Sequence, residues 1–275
     1  MSQSELLKNM KPLHNRNLYN ADCNTYFYKF NNTTSTPWYF DIWGSGLDWI
    51  SYVFSPQNHD SQSVFNLYTP IQNLVQAVNG ASPGTLDSDL ANYFDLNTFI
   101  NILAVQNFVD QTDGLLGGSG MNNFYAYELP NTNFFRIMPW DQDQAFTQLD
   151  ESPSHGMDTN VLAKKIWSEP RFRDQYLSEI IAIGSLVGTP TADGAAPGWL
   201  EQEVTNEANQ IRDAVYQDPL TPFSSNDFEG AVAFMQQFGR QRDSYERSFV
   251  SQVAPEVLAP NGTSRILSLR VRTSR

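Results

Sequence analysis

Two short alternating runs, Asn123–Leu129 (NFYAYEL) and Asn133–Met138 (NFFRIM), constrain this chain more than any other feature. Apolar and polar residues alternate with period two in both, and only Pro-Asn-Thr separates them, so they predict an antiparallel β-hairpin. A hairpin brings its outer ends together. Asn123, at the start of the first run, and Asp141, just past Pro139-Trp140, should therefore be neighbours, with facing backbones ~5–6 Å apart. Upstream, Leu96, Phe99, Ile100, Leu103, Ala104 and Phe108 recur at helical spacing behind Asp95, a suitable N-cap. This predicts a buried helix that leaves Asn97, Asn101 and Gln106 nearer its outer face and delivers the chain to Asp110 and Asp113. The link between helix and hairpin is GLLGGSG (114–120), four glycines in seven residues, expected to be flexible and able to fold Asp113 towards Asn123.

The other elements follow from the same periodicities. Tyr26 and Tyr28 on one parity, with Phe27 and Lys29 on the other, suit a strand. IQNLVQAVNG (71–80) reads as an amphipathic helix interrupted on its near side by Pro70 and closed by Gly80. Residues 161–188 read as two helices with Pro170 near the first turn of the second; 199–217 and 227–253 are long helices, and 189–198 is a Pro/Gly/Ala linker. The fold class is α+β, a small hairpin sheet beside a mostly helical body. The last eleven residues hold Arg265, Arg270, Arg272 and Arg275 without an apolar face, so 254–275 is expected to be a disordered basic tail.

Composition narrows the function classes. The 275 residues carry 17 basic and 30 acidic side chains, a net charge of −13, which disfavours nucleic acid or an anionic membrane as partner. No apolar run approaches the ~18 residues of a transmembrane segment. The first seventeen residues lack a signal-peptide pattern. Cys23 is the single cysteine, which excludes an internal disulfide framework. His14, His59 and His155 are far apart and read as surface residues. Ser119 lacks the strand-to-helix setting of a nucleophile elbow.

Carboxylates at element ends remain. Asp113 after the helix, Asn123 at the hairpin start, and Asp141 and Asp143 at its end could converge. Hard oxygen ligands of this kind suit Mg²⁺ or Mn²⁺. The alternative is that Asp113 caps a turn and that Asp141 and Asp143 are solvated loop residues.

LYNADCNTYFYKF, YFDLNTFINILAVQNFVDQTDG, NNFYAYELPNTNFFRIMPWDQDQAF and SEPRFRDQYLSEI, in that order, resemble the CotH family, the spore coat protein H-like atypical kinases. The resemblance runs over 18–253 and is most specific at Pro139–Phe146. It implies a distant protein-kinase fold, mostly its helical C-lobe with a small sheet at the active-site cleft and the N-lobe largely absent. It also implies transfer of the ATP γ-phosphoryl group to Ser or Thr of coat or surface proteins, and a spore-coat, cell-surface or extracellular location. Asp113 matches the aspartate that orients the acceptor hydroxyl, and Asn123 and Asp141 match the ligands of the ATP-bound Mg²⁺. Asp143 shares the last motif.

Several departures stand beside the resemblance, among them Gln111 and Thr112 in place of the residues usual before the aspartate. Asp113 and Asn123 are ten residues apart, against about five in the kinase D-x-x-x-x-N pattern. Thr147 replaces the glycine of A-F-G, where a turn with φ > 0 would disfavour threonine. Lys8, Lys11 and Lys29 are the early lysines, and none matches the nucleotide-binding lysine. These features leave a second reading, a catalytically inactive coat or surface interaction protein on the same scaffold.

Overall fold

The computed structural model describes residues 26–30, 37–59, 61–188 and 196–258. His14, Cys23, Lys8, Lys11, most of the 189–198 linker and the tail from 259 lie outside them. The described chain divides into two compact units. One comprises residues up to Phe99, Asp113–Gln142 and Thr159–Leu162; the other comprises Ile100–Thr112, Asp143–Asp158 and the chain from Ala163.

The first unit is built on an antiparallel sheet of four strands, β1 (Phe27–Phe30), β2 (Phe54–Pro56), β3 (Phe124–Glu128) and β4 (Phe135–Pro139), in the order β2-β1-β3-β4. Phe124 pairs with Pro139 and Glu128 with Phe135, which is the hairpin the alternation predicts. Its strands begin and end within two residues of the predicted limits. Tyr28, Phe124, Ala126, Phe135 and Ile137 form the buried face of the sheet. Phe27, Lys29, Tyr125, Tyr127, Arg136 and Met138 stand on the other face, as period two requires. Glu128 falls on the buried parity, only 4% exposed, and its Oε2 has no hydrogen-bond partner. Burial pushes its carboxyl up to about 7.

Helix α1 (Ile50–Val53) leads into β2, and α2 (Val64–Gly80) begins at Ser63, whose hydroxyl accepts from Asn66 N. Pro70 lies inside α2 and does not end it, contrary to the sequence expectation. Proline removes one N–H and crowds the preceding turn. That turn is tied down from outside, because the Tyr28 hydroxyl donates to Leu67 O at 2.6 Å. Leu67, Ile71, Leu74, Val75 and Val78 bury one face. Helix α3 (Leu86–Leu90) follows, then α4 (Leu96–Phe108), whose start is capped by Asp95 through Asn97 N and the Thr98 hydroxyl.

The second unit holds most of α4. Gln106, expected nearer the outer face, is 3% exposed, while its neighbour Val105 is 48% exposed, so the solvent-facing side of the helix end differs from the one the periodicity assigns. Helices α5 (Val161–Ser168), α6 (Pro170–Val187), α7 (Trp199–Gln217) and α8 (Ser225–Val253) match the sequence expectation within two residues. Pro170 opens α6. A reciprocal capping box between Ser224 and Asp227 starts α8. Leu200, Val204 and Ala208 of α7 pack on Phe228, Val232 and Met235 of α8 at helical spacing. Beyond α8, Ala254 is buried and Pro255–Leu258 forms a 3-10 turn, so the first residues assigned to the basic tail are ordered chain. Among the described residues no helix is long and apolar enough to cross a membrane.

Candidate active site

The open end of the hairpin carries two residues that leave the strands abruptly. Asn123 has φ 51° and Asp141 has φ 48°, both in the left-handed region that Asn and Asp tolerate best. Between them the ladder gains one more bond, Trp140 N to Asn123 O at 2.7 Å. Asn123 and the residue before Asp141 are therefore backbone partners, as the hairpin argument predicts.

Asp113 reaches the same place. Asn123 Nδ2 donates to Asp113 Oδ2 at 2.8 Å and to its main-chain oxygen at 2.9 Å, while Asn122 Nδ2 donates to Oδ1 at 2.8 Å. Both carboxylate oxygens thus meet amide donors. Asn122 was not singled out by the sequence reasoning; the doubled Asn122-Asn123 in front of a strand was its only signal.

The ten-residue spacing does not separate the pair. Asn122 N donates to Gly114 O at 3.0 Å, closing the inserted loop on itself, and Gly117 N and Gly120 N make two tight turns inside it. The loop is packed, contrary to the expected flexibility. Leu115 and Leu116 are buried, Met121 N donates to Trp38 O, and the Tyr39 hydroxyl reaches Gly118 O. Gly120 has φ 110°, and a Cβ there would lie 2.8 Å from Trp38 N, so only glycine fits. Gly118 and Ser119 form the exposed tip.

The A-F-T turn is also resolved. The left-handed residue is Phe146, at φ 60°, and not Thr147. Thr147 instead donates its hydroxyl towards Gln144 O at 3.1 Å. Asp143 is exposed and belongs to the second unit. Lys29 is exposed in β1, and His155 pairs with Glu151 at 3.2 Å.

The chain matches the CotH kinase protein family over residues 3–245. It belongs to that family. Comparison with the curated proteins returns no significant match. A CotH kinase fold accounts for the mostly helical α+β architecture, and family membership carries a kinase-like function and a link to spore coat or surface.

Kinase chemistry asks for ATP with a divalent ion, and the donor set can be tested against that need. Nδ2 of Asn123 is committed to Asp113, which leaves Oδ1 as the acceptor atom of that side chain, and Asp141 stands one residue past the backbone partner of Asn123. Among the described residues no group of three or more His, Cys, Asp or Glu side chains is placed to hold a metal. One amide and one carboxylate do not make a protein cage. They do suit Mg²⁺, which keeps several waters and takes its remaining ligands from substrate phosphates. The residues fit the group.

Proposed function

We propose that this chain is a CotH-type protein kinase that transfers the ATP γ-phosphoryl group to Ser or Thr hydroxyls of coat or surface proteins. The observation that carries the reading is the double donation from Asn123 to Asp113 at the mouth of the β3–β4 hairpin, beside Asp141. Bound ATP supplies the transferable phosphoryl group, and Mg²⁺ supplies charge that neutralises its oxygens. Asn123 Oδ1 and the Asp141 carboxylate would hold that ion.

Asp113 takes the proton. Its carboxylate oxygens accept amide hydrogens from Asn122 and Asn123, and an ionised carboxylate has about four acceptor positions in all. The two asparagines fix the rotamer of that carboxylate, so the hydroxyl is oriented for in-line attack. As its proton passes to Asp113, its oxygen bonds to the γ-phosphorus and the bond to the β,γ-bridging oxygen breaks, releasing ADP. The closed loop 114–122 lets an insertion of this length coexist with that geometry.

The test is incorporation of γ-phosphate into a Ser/Thr-bearing protein with Mg²⁺ present. Wild type should label it, and Asp141→Ala and Asp113→Asn should each lose about 10²-fold or more. Undiminished labelling by Asp141→Ala refutes the ligand assignment. A scaffold that serves only in interaction would give no heat with Mg²⁺-ATP in calorimetry.

A further inference from the structure

Helix α4 ends inside the protein, where its last carbonyls need partners. Two are met locally. Asp110 N donates to Asn107 O at 3.0 Å and Gln111 N to Gln106 O at 2.8 Å, a Schellman closure with Asp110 in the left-handed position at φ 48°. Arg242 of α8 completes the end. Its Nε donates to Phe108 O at 3.0 Å and its Nη2 to Asn107 O at 3.0 Å. Its Nη1 donates to both Leu149 O and Glu151 O at 2.8 Å, and Nη2 also faces Glu246 Oε1 at 2.6 Å. Four of the guanidinium N–H groups thus donate to main-chain oxygens, and the residue is 0% exposed.

Two backbone segments therefore converge on one side chain. Residues 107–112 run directly into Asp113, and residues 144–151 begin three positions after Asp141. They are also joined to each other. Phe146 N donates to Val109 O at 2.6 Å, Gln148 N to Asp110 Oδ2 at 2.5 Å, and Thr112 N to Gln144 O at 3.2 Å. The Thr147 hydroxyl donates to Gln144 O and towards Asp110 O, at 3.1 and 3.4 Å.

We propose that Arg242 is a positioning residue for the phosphotransfer: from the interior it fixes the joint between the segment that delivers Asp113 and the segment that leaves Asp141. The inference rests on the kinase reading of those two residues. Four main-chain oxygens from both segments take four of the five donors of one planar guanidinium. Lysine, with three donors on one atom, keeps the charge and must abandon at least one of the carbonyls. Glu246 lies beside the guanidinium and touches neither segment through any bond described above.

The test compares R242K, E246Q and T147V with wild type in the full chain. R242K should lower kcat by about 10²-fold while KM for ATP moves less than about threefold, because the acceptor base is displaced and not the nucleotide. E246Q should keep kcat within about threefold, since all four carbonyl bonds remain. T147V loosens the same joint from its exposed side and should lower kcat about threefold to tenfold, again with little change in KM. Hydrogen exchange gives a readout independent of activity: R242K should speed exchange of the Thr112, Phe146 and Gln148 amides selectively over those of α7. If wild type transfers no phosphate, the kinase reading fails, and the exchange result alone decides the positioning role. Unchanged exchange at those amides, or a folded R242K with wild-type kcat, overturns the proposal. Should R242K not fold, T147V decides: a kcat-selective loss supports the joint and wild-type kinetics overturn it.

Discussion

The side-chain amide of Asn123 donates to Asp113 twice, to Oδ2 at 2.8 Å and to the main-chain oxygen at 2.9 Å. One planar group thereby fixes both the carboxylate and the backbone of a residue ten positions earlier. Replacement should be felt in stability as well as activity. Asn123→Gly keeps the left-handed φ and loses the amide, and should cost about 2 kcal/mol, the scale of hydrogen bonds to a charged group. Asn123→Ala should cost about 1 kcal/mol more, the price of placing a Cβ at that φ. Urea titrations of both variants check the pair, and equal midpoints would remove the backbone part of the argument.

Gly120 holds the inserted loop against Trp38 at φ 110°. Gly120→Ala meets main-chain atoms of Pro37 and Trp38 with no flexible side chain to yield. A destabilisation of about 2–3 kcal/mol is expected. Leu115→Ala should cost about as much, because Leu115 is fully buried. A thermal melt of either variant that overlays wild type would return the loop to the flexible class.

Glu128 makes stability depend on pH. Its folded value, about 7, lies above its ordinary 4.5 because burial disfavours the ionised form. The folded state therefore prefers the protonated carboxyl. That contribution is complete below about pH 4.5 and drains away as pH rises through about 7. Glu128→Gln should be about 1–3 kcal/mol more stable than wild type at about pH 8, and should show little difference at about pH 4. Guanidinium midpoints at the two pH values measure this. Glu246, raised in the same direction by burial with Arg242 opposing, is common to both proteins and cancels.

Thr147 stands where the family pattern has glycine, yet the left-handed residue is its neighbour Phe146. Thr147→Gly should therefore bring no relief of strain. It should lose about 1 kcal/mol, from the hydroxyl bond to Gln144 O and from added unfolded-state freedom. A stabilised variant in chemical denaturation would contradict this.

What could be read in advance was whatever depends on local periodicity. The hairpin, α4 with its Asp95 cap, the break at Pro170 and the two long C-terminal helices all lie within a few residues of their expected positions. So does the meeting of Asn123 with the end of β4, which follows from hairpin geometry alone. The failures are all long-range. Pro70 remains inside α2 beside a turn held by the hydroxyl of Tyr28, 39 positions before the carbonyl it meets. Gln106 lies inward while the apolar Val105 beside it is exposed, an inversion that its own heptad cannot reveal. β2 is three residues long and exists by pairing with β1. Glycine count suggested mobility in 114–120, whereas the two leucines among those glycines supply the packing. Arg242 carries no local signal in the sequence; only the two segments it serves distinguish it.

The self-closing loop between Asp113 and Asn123 has a consequence for how such sites are found. Because Gly114 and Asn122 are hydrogen-bonded to each other, the stretch between them can change in length without moving its ends, much as a hairpin can grow at its tip. A search that fixes the interval between aspartate and asparagine would pass over this chain. One that asks for an amide able to reach back to an earlier carboxylate would retain it.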